Sequence, residues 1–176
     1  MFIQRLEEYK IPESVHQQIS KLLEEAFSGY PQGKSYFKQL PAFRYLIWAE
    51  DMLIGHMAVD HRLISIEGEP VKIFGVVDLC IADSYQRKKL ATRLLEELEQ
   101  SGIKYGIDFI ILLTPDHTLY ISNGFVLVDN SCKWLLIQDN SCLGVLHRKI
   151  DQALMVKALS TKVWKNGVVD FLGHIF

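Results

Sequence analysis

Two groups of residues in this sequence could do chemistry. The first is Asp78, the single acid inside the apolar run Val71–Ala82, flanked by Val77 and Leu79. A carboxylate there is costly to ionise unless it is paired, hydrated or at a cleft, so its pKa should rise toward values useful for a general base. A structural Asp that holds a neighbouring strand is the plainer reading of the same position. The second group is Arg87-Lys88-Lys89, which falls in or just before the first turn of a helix. The helix dipole is already positive there, and no oxygen-bearing cap stands immediately ahead, so several backbone N–H groups lack local partners. A bound polyanion would relieve both problems; a solvated basic turn is the alternative.

The elements that must position these residues are read from apolar spacing. Val71–Ala82 is apolar on both alternating faces apart from Lys72 and Asp78, which predicts a strand buried on both sides. A polar elbow, Asp83 to Lys89, leads into a helix marked by Leu90, Ala91, Leu94, Leu95 and Leu98, with Gly102 as its expected stop. Ile107 to Leu113 is a second buried strand, so strand, crossover helix and strand form a right-handed parallel unit. Thr118 to Phe125 then predicts one or two helical turns with Gly124 as the exit. They carry Tyr120, whose phenol (pKa about 10) is neutral at pH 7 yet able to protonate a stronger base.

Two motifs in this stretch resemble those of the GNAT-type N-acetyltransferases. Gln86-Arg87-Lys88-Lys89-Leu90-Ala91 is similar to the family's acyl-CoA loop, Q/R-x-x-G-x-G/A. Leu119-Tyr120-x-x-x-Gly124-Phe125 is similar to its L/F-Y-x-x-x-G-F/Y signature. The resemblance implies that backbone amides of Gln86, Arg87, Lys88, Lys89, Leu90, Ala91 and Thr92 hold the pyrophosphate of acetyl-CoA. It further implies that backbone groups of Leu79, Cys80 and Ile81 bind the pantetheine and thioester. Tyr120 becomes the catalytic acid for the departing thiolate, and Asp78 the catalytic base, with His117 a second candidate. Lys89 departs from the pattern, because the usual Gly lets backbone approach phosphate closely; it either adds a charge contact or weakens cofactor binding. Gly75 sits where certain histone-type members carry their glutamate base.

The fold implied is α/β (α+β): the GNAT fold, a mixed and mostly antiparallel central sheet with one parallel central strand pair and helices on both faces. The implied activity is transfer of an acetyl group from acetyl-CoA to a primary amine of a small molecule, by direct attack on the thioester. A non-catalytic CoA-binding or regulatory domain of the same fold is the rival reading. A third is an O-acyltransferase or an acyl-carrier-protein-dependent enzyme, since the tail weakly resembles aminoglycoside 2′-N-acetyltransferase-like and nodulation acyltransferase-like members.

The remaining chain reads as a first strand from Phe2 to Tyr9, a helix from Pro12 to Phe27 and a short helix from Ser35 to Leu40. A hairpin pairs Arg44–Ala49 with Met52–Val59, the latter extended by Arg62–Ile66. Phe125–Val128, Cys132–Ile137 and Val168–Leu172 are further strands, and Gly144–Ile150 is assigned as helix. Ala153–Leu159 suits helix or strand, and the resemblance to the family implies a closing antiparallel strand. In GNAT-type enzymes the early helical pair walls the acceptor site, which makes Glu24, Glu25, Tyr30 and Tyr36 candidate substrate contacts beside a plainer role as solvated face and loop aromatics. His56 and His61 suit structural or solvent roles.

With 176 residues, 49% hydrophobic, the chain suits a single globular domain over 1–176, which the resemblance makes an acyltransferase domain. A net charge of −2 gives no whole-chain field for nucleic acid or membrane. Neither a signal-peptide pattern nor a membrane-length apolar run occurs. Cys80, Cys132 and Cys142 lack metal spacing and read as reduced thiols of a cytoplasmic protein, with no metal expected. A homodimer is the expected assembly if the chain pairs through sheet edges.

Overall fold

The computed structural model describes all residues, 1–176. The elements are β1 (Phe2–Glu7), α1 (Glu13–Ala26), β2 (Phe43–Ala49), β3 (Met52–Ile66), β4 (Glu69–Ile81), α2 (Leu90–Lys104), β5 (Phe109–Leu113), α3 (Thr118–Ser122), β6 (Val126–Leu127), β7 (Ser131–Gln138), β8 (Ser141–Lys149), β9 (Leu154–Ala158) and β10 (Val169–His174). Hydrogen bonding orders the strands β6-β9-β5-β4-β3-β10-β7-β8, with β2 also on β3 and β1 on β2. This mixed sheet with a parallel β4–β5 pair is the expected fold class. No helix is long and apolar enough to cross a membrane.

The chain gathers into two compact units, Met1–Asp60 with Val77–Glu97, and His61–Val76 with Leu98–Phe176. In the first, β1 pairs antiparallel with β2 from Phe2↔Trp48 to Glu7↔Phe43, and β2 with β3 from Phe43↔Val59 to Ala49↔Met52. Helix α1 places Val15, Ile19, Leu22 and Leu23 on one face by its three- and four-residue spacing. They pack with Leu46, Trp48, Leu53 and Cys80.

In the second unit, β4 runs parallel to β5 through Ile73↔Phe109 and Gly75↔Ile111, and β9 lies antiparallel between β5 and β6. Strand β10 is parallel to β7 and antiparallel to the end of β3. Its core cluster is largely aliphatic and aromatic, with Ile64, Ile73, Phe109, Ile111, Leu154 and Phe171 essentially sealed from solvent, and the unit also buries Asp108 and Asn130. Trp164 packs edge-on against Phe109 at 5.1 Å between ring centres.

Three expectations are corrected. Residues 144–149 belong to strand β8, which pairs antiparallel with β7 from Ser131↔Lys149 to Gln138↔Ser141, with one register shift between Leu136 and Ile137. The reason is the turn Asp139-Asn140, with φ of 48° and 59°, whose two left-handed residues suit a tight hairpin. Residues 35–40 contain no helix; the Ser35 carbonyl instead accepts from Arg44 Nη1 at 2.7 Å. Helix α2 continues past Gly102 to Lys104 and exits at Gly106 with φ of 69°. Gly102 is inside the helix because the Leu159 side chain occupies the place its Cβ would take.

Candidate functional site

Asp78 has φ of 51°, the one left-handed residue within β4. Left-handed backbone is uncommon for a side-chain-bearing residue, and inside a strand it marks a bulge. The Asp78 carboxylate accepts a hydrogen bond from the Tyr30 hydroxyl at 2.7 Å. Burial raises the Asp78 pKa above its ordinary value, against the opposing pull of the Tyr30 hydroxyl, Arg44 and Lys38. Burial first, then the Asp78 charge, pushes the Tyr30 phenol up as well, so Tyr30 stays a donor. The pairing that the sequence left open is therefore with Tyr30, itself flanked by the rings of Phe27 at 6.1 Å and Phe37 at 6.2 Å.

Behind Asp78 lies a buried polar chain. Arg44 is fully buried and holds the Glu8 carboxylate in two bonds, Nε to Oε2 at 2.6 Å and Nη2 to Oε1 at 2.9 Å. Its Nη1 also lies 2.8 Å from His56 Nε2, and His56 Nδ1 lies 2.8 Å from the Asp78 carbonyl oxygen. Burial and then Arg44 hold the His56 pKa down to about 3. Cys80, next but one along β4, has its thiol pushed up to about 12 by burial and then by Asp78, so it is a protonated core thiol and no nucleophile.

The basic elbow follows in the same unit. Arg87 and Lys89 both adopt φ of 59°, the left-handed conformation that glycine supplies most cheaply. Lys89, in the position where the motif has Gly, thus keeps a glycine-like backbone. Successive residues of alternating handedness can turn their N–H groups into a concavity that suits an anion. The Gln86 side chain fixes the start of this loop, donating to the Ile81 carbonyl at 3.3 Å and to Asp83 Oδ1 at 2.9 Å. Lys88 Nζ lies 4.6 Å from the centre of the Tyr85 ring. The first turn of α2 carries no acid, so nothing there competes with an incoming phosphate.

Tyr120 belongs to the second unit, on α3. Its ring meets Phe125 edge-on at 5.6 Å, and its carbonyl accepts from the Phe125 amide at 3.0 Å. Burial, then Asp116, pushes the phenol up to about 12, so it remains protonated at pH 7. His117, the second base candidate, has its Nε2 taken by the Gln152 carbonyl at 2.7 Å. At Gly75 the Phe176 ring fills the space a side chain would need, so no base can be restored there without displacing it.

The early substrate-contact candidates divide. Glu24 is used internally, accepting from Ser20 Oγ at 2.9 Å and the Gly33 amide at 2.7 Å, while Glu25 is exposed. Tyr36 lines a cleft of about 340 Å³ with Glu13, His16, Gln17 and Ser35. Sequence reasoning missed Glu8 and Arg44 altogether. The available signal was an arginine beside a β-rich run and a glutamate ending another, which is too common to single out.

A family model described as an acetyltransferase (GNAT) domain matches residues 9–128. Among solved structures, the chain is similar to a GNAT family N-acetyltransferase (YhbS) from Escherichia coli in complex with CoA. That likeness has 20% identity and a TM-score of 0.64, covering 96% of this chain and 88% of that one. It is similar also to a GNAT family acetyltransferase from Brucella melitensis in complex with acetyl-CoA, at 14% identity, TM-score 0.60 and coverage of 94% and 93%. A third likeness is to Escherichia coli ElaA, at 13% identity, TM-score 0.60 and coverage of 89% and 99%. No curated protein matches the sequence.

Proposed function

Because the chain belongs to the GNAT acetyltransferase family, we propose that it transfers an acetyl group from acetyl-CoA to a primary amine of a small molecule. The observation that carries this reading is the backbone at Lys89. A lysine at the motif's glycine position would argue against phosphate binding if it closed the loop, but its φ of 59° keeps the glycine-like form. The residues present therefore fit the cofactor: amides from Arg87 to Thr92 for the pyrophosphate, with Arg87, Lys88 and Lys89 neutralising charge. Backbone groups of Leu79, Cys80 and Ile81 serve the pantetheine and thioester.

Acetyl-CoA supplies the activated thioester carbonyl. Asp78 takes the proton from the attacking nitrogen, its raised pKa bringing it closer to that task than an ordinary carboxylate. The Tyr30 hydroxyl fixes which carboxylate oxygen remains free to do so. As the nitrogen–carbon bond forms and the carbon–sulfur bond breaks, Tyr120 gives its phenolic proton to the sulfur. Its elevated pKa keeps that proton in place until a strong base develops.

Calorimetric titration of acetyl-CoA, followed by a panel of amine and hydroxyl acceptors, tests the proposal. Saturable binding and acetylation of an amine are expected; no heat at millimolar cofactor removes the enzyme reading. A Tyr120→Phe variant should bind acetyl-CoA normally and turn over about 100-fold more slowly, the scale of a lost general acid. Unchanged turnover would remove Tyr120 from the mechanism.

A further inference from the structure

The hydrogen bonds around His56 determine where its proton sits. Arg44 has only donors, so its Nη1, 2.8 Å away, must donate to a bare Nε2. The Asp78 carbonyl has only acceptors, so His56 Nδ1, 2.8 Å away, must carry the hydrogen and donate it. A doubly protonated ring would set an N–H against the guanidinium, so the imidazole is neutral. Glu8, itself buried, neutralises Arg44 from the other side through two short bonds, and Arg44 and His56 lie out of solvent contact.

What this imidazole holds is the irregularity in β4. Strands β3 and β4 are joined by Glu67-Gly68, with φ of 53° and 83°, a two-residue turn that sets Ile66 opposite Glu69. Continued regularly, that register would put Ala82 opposite Leu53. Instead the Ala82 amide donates to the Ile54 carbonyl at 2.9 Å, so β4 has taken one residue more than β3 on the way. Asp78, the left-handed residue of the strand, is that extra residue. A bulge re-aims the side chain and backbone around it, and a bulged carbonyl buried without a partner would be costly.

We propose that His56 is a positioning residue: as a neutral imidazole protonated on Nδ1, it locks the Asp78 carbonyl and thereby fixes the β4 bulge. The bulge sets the directions of the Asp78 carboxylate and of the Leu79–Ile81 backbone. The functional consequence rests on the acetyl-transfer reading, whereas the tautomer and the bulge do not. Glu8 and Arg44 act one step further back, holding the ring in the tautomer that can donate.

Two measurements on the full chain test this. Nitrogen-15 NMR of histidine-labelled wild-type protein should show His56 as the neutral Nδ1–H tautomer, unchanged from pH 7 to pH 5; an Nε2–H or charged ring overturns the proposal. Acetyl-CoA and adenosine 3′,5′-bisphosphate, which lacks the pantetheine and thioester, should then be titrated into His56→Leu and His56→Gln. Losing the bond should weaken acetyl-CoA about ten-fold in His56→Leu and leave the bisphosphate within about two-fold. His56→Gln, which can still accept from Arg44 and donate to the carbonyl, should recover part of the loss. Equal weakening of both ligands, or none, overturns it. If His56→Leu does not fold, the wild-type tautomer still decides. If wild-type protein fails to bind acetyl-CoA, the cofactor reading fails, while the NMR result still tests His56.

Discussion

The two compact units differ in the polar groups they bury. The first seals Glu8, Arg44 and His56 among its apolar residues and places the half-buried Asp78 at the end of that chain. The second has a core cluster of aliphatic and aromatic side chains with one thiol, Cys132. It buries Asp108, bonded to Ser160 and Lys162, and Asn130, bonded to Trp164, while pairs such as Lys133–Asp170 and Lys149–Asp129 lie toward solvent. An apolar core stabilises by area and tolerates small shifts in geometry. A buried polar chain contributes little net stability for its size, yet each bond fixes a direction. The candidate base, its hydroxyl partner and the left-handed loop lie in the first unit, and Tyr120 in the second.

The contrast would be sharpened most by removing one member of the buried pair. Glu8→Ala strands the Arg44 guanidinium, and urea denaturation should show a loss of about 3–5 kcal/mol. The double variant Glu8→Ala with Arg44→Leu should recover most of it, because a buried pair adds little over apolar packing. A single-variant loss below about 1 kcal/mol would break the comparison. In the second unit Phe109→Ala should cost about 3 kcal/mol by leaving a cavity. That loss should be equal at pH 7 and pH 5, since no titrating group is exposed by it.

The smallest effect per step is the acid limb. His56 is held down to about 3 when folded, against an ordinary imidazole value of 6.5, so the unfolded chain binds this proton more readily. Its contribution is complete above pH 6.5 and declines as pH falls toward 3, by at most about 1.4 kcal/mol per pH unit. Chemical denaturation from pH 7 to pH 4 should show this slope in wild type and its absence in His56→Leu.

Much of the fold was legible in the residues. The strand around Asp78, helix α2 and strand β5 followed from apolar spacing, because period two and period 3.6 are written locally. The Asp139-Asn140 turn is readable too, yet the residues of 144–150 suggest helix where the chain forms β8. A mostly exposed edge strand carries no clean alternation, and only its pairing with β7 marks it. Helix α2 overran Gly102 because the reason for that glycine is a leucine 57 positions later, Leu159.

By itself, the sequence singled out the candidates: Asp78 alone in an apolar strand, three cations at a helix start, and Tyr120 within its short motif. Tertiary structure decided how they are held. Tyr30 reaches Asp78 across 48 residues, and Arg44 reaches Glu8 across 36. No periodicity encodes such partners, because side-chain pairing between distant segments depends on strand register and loop path. The left-handed backbone at Asp78, Arg87 and Lys89 is likewise a tertiary outcome, since local preference alone disfavours it for residues with a Cβ.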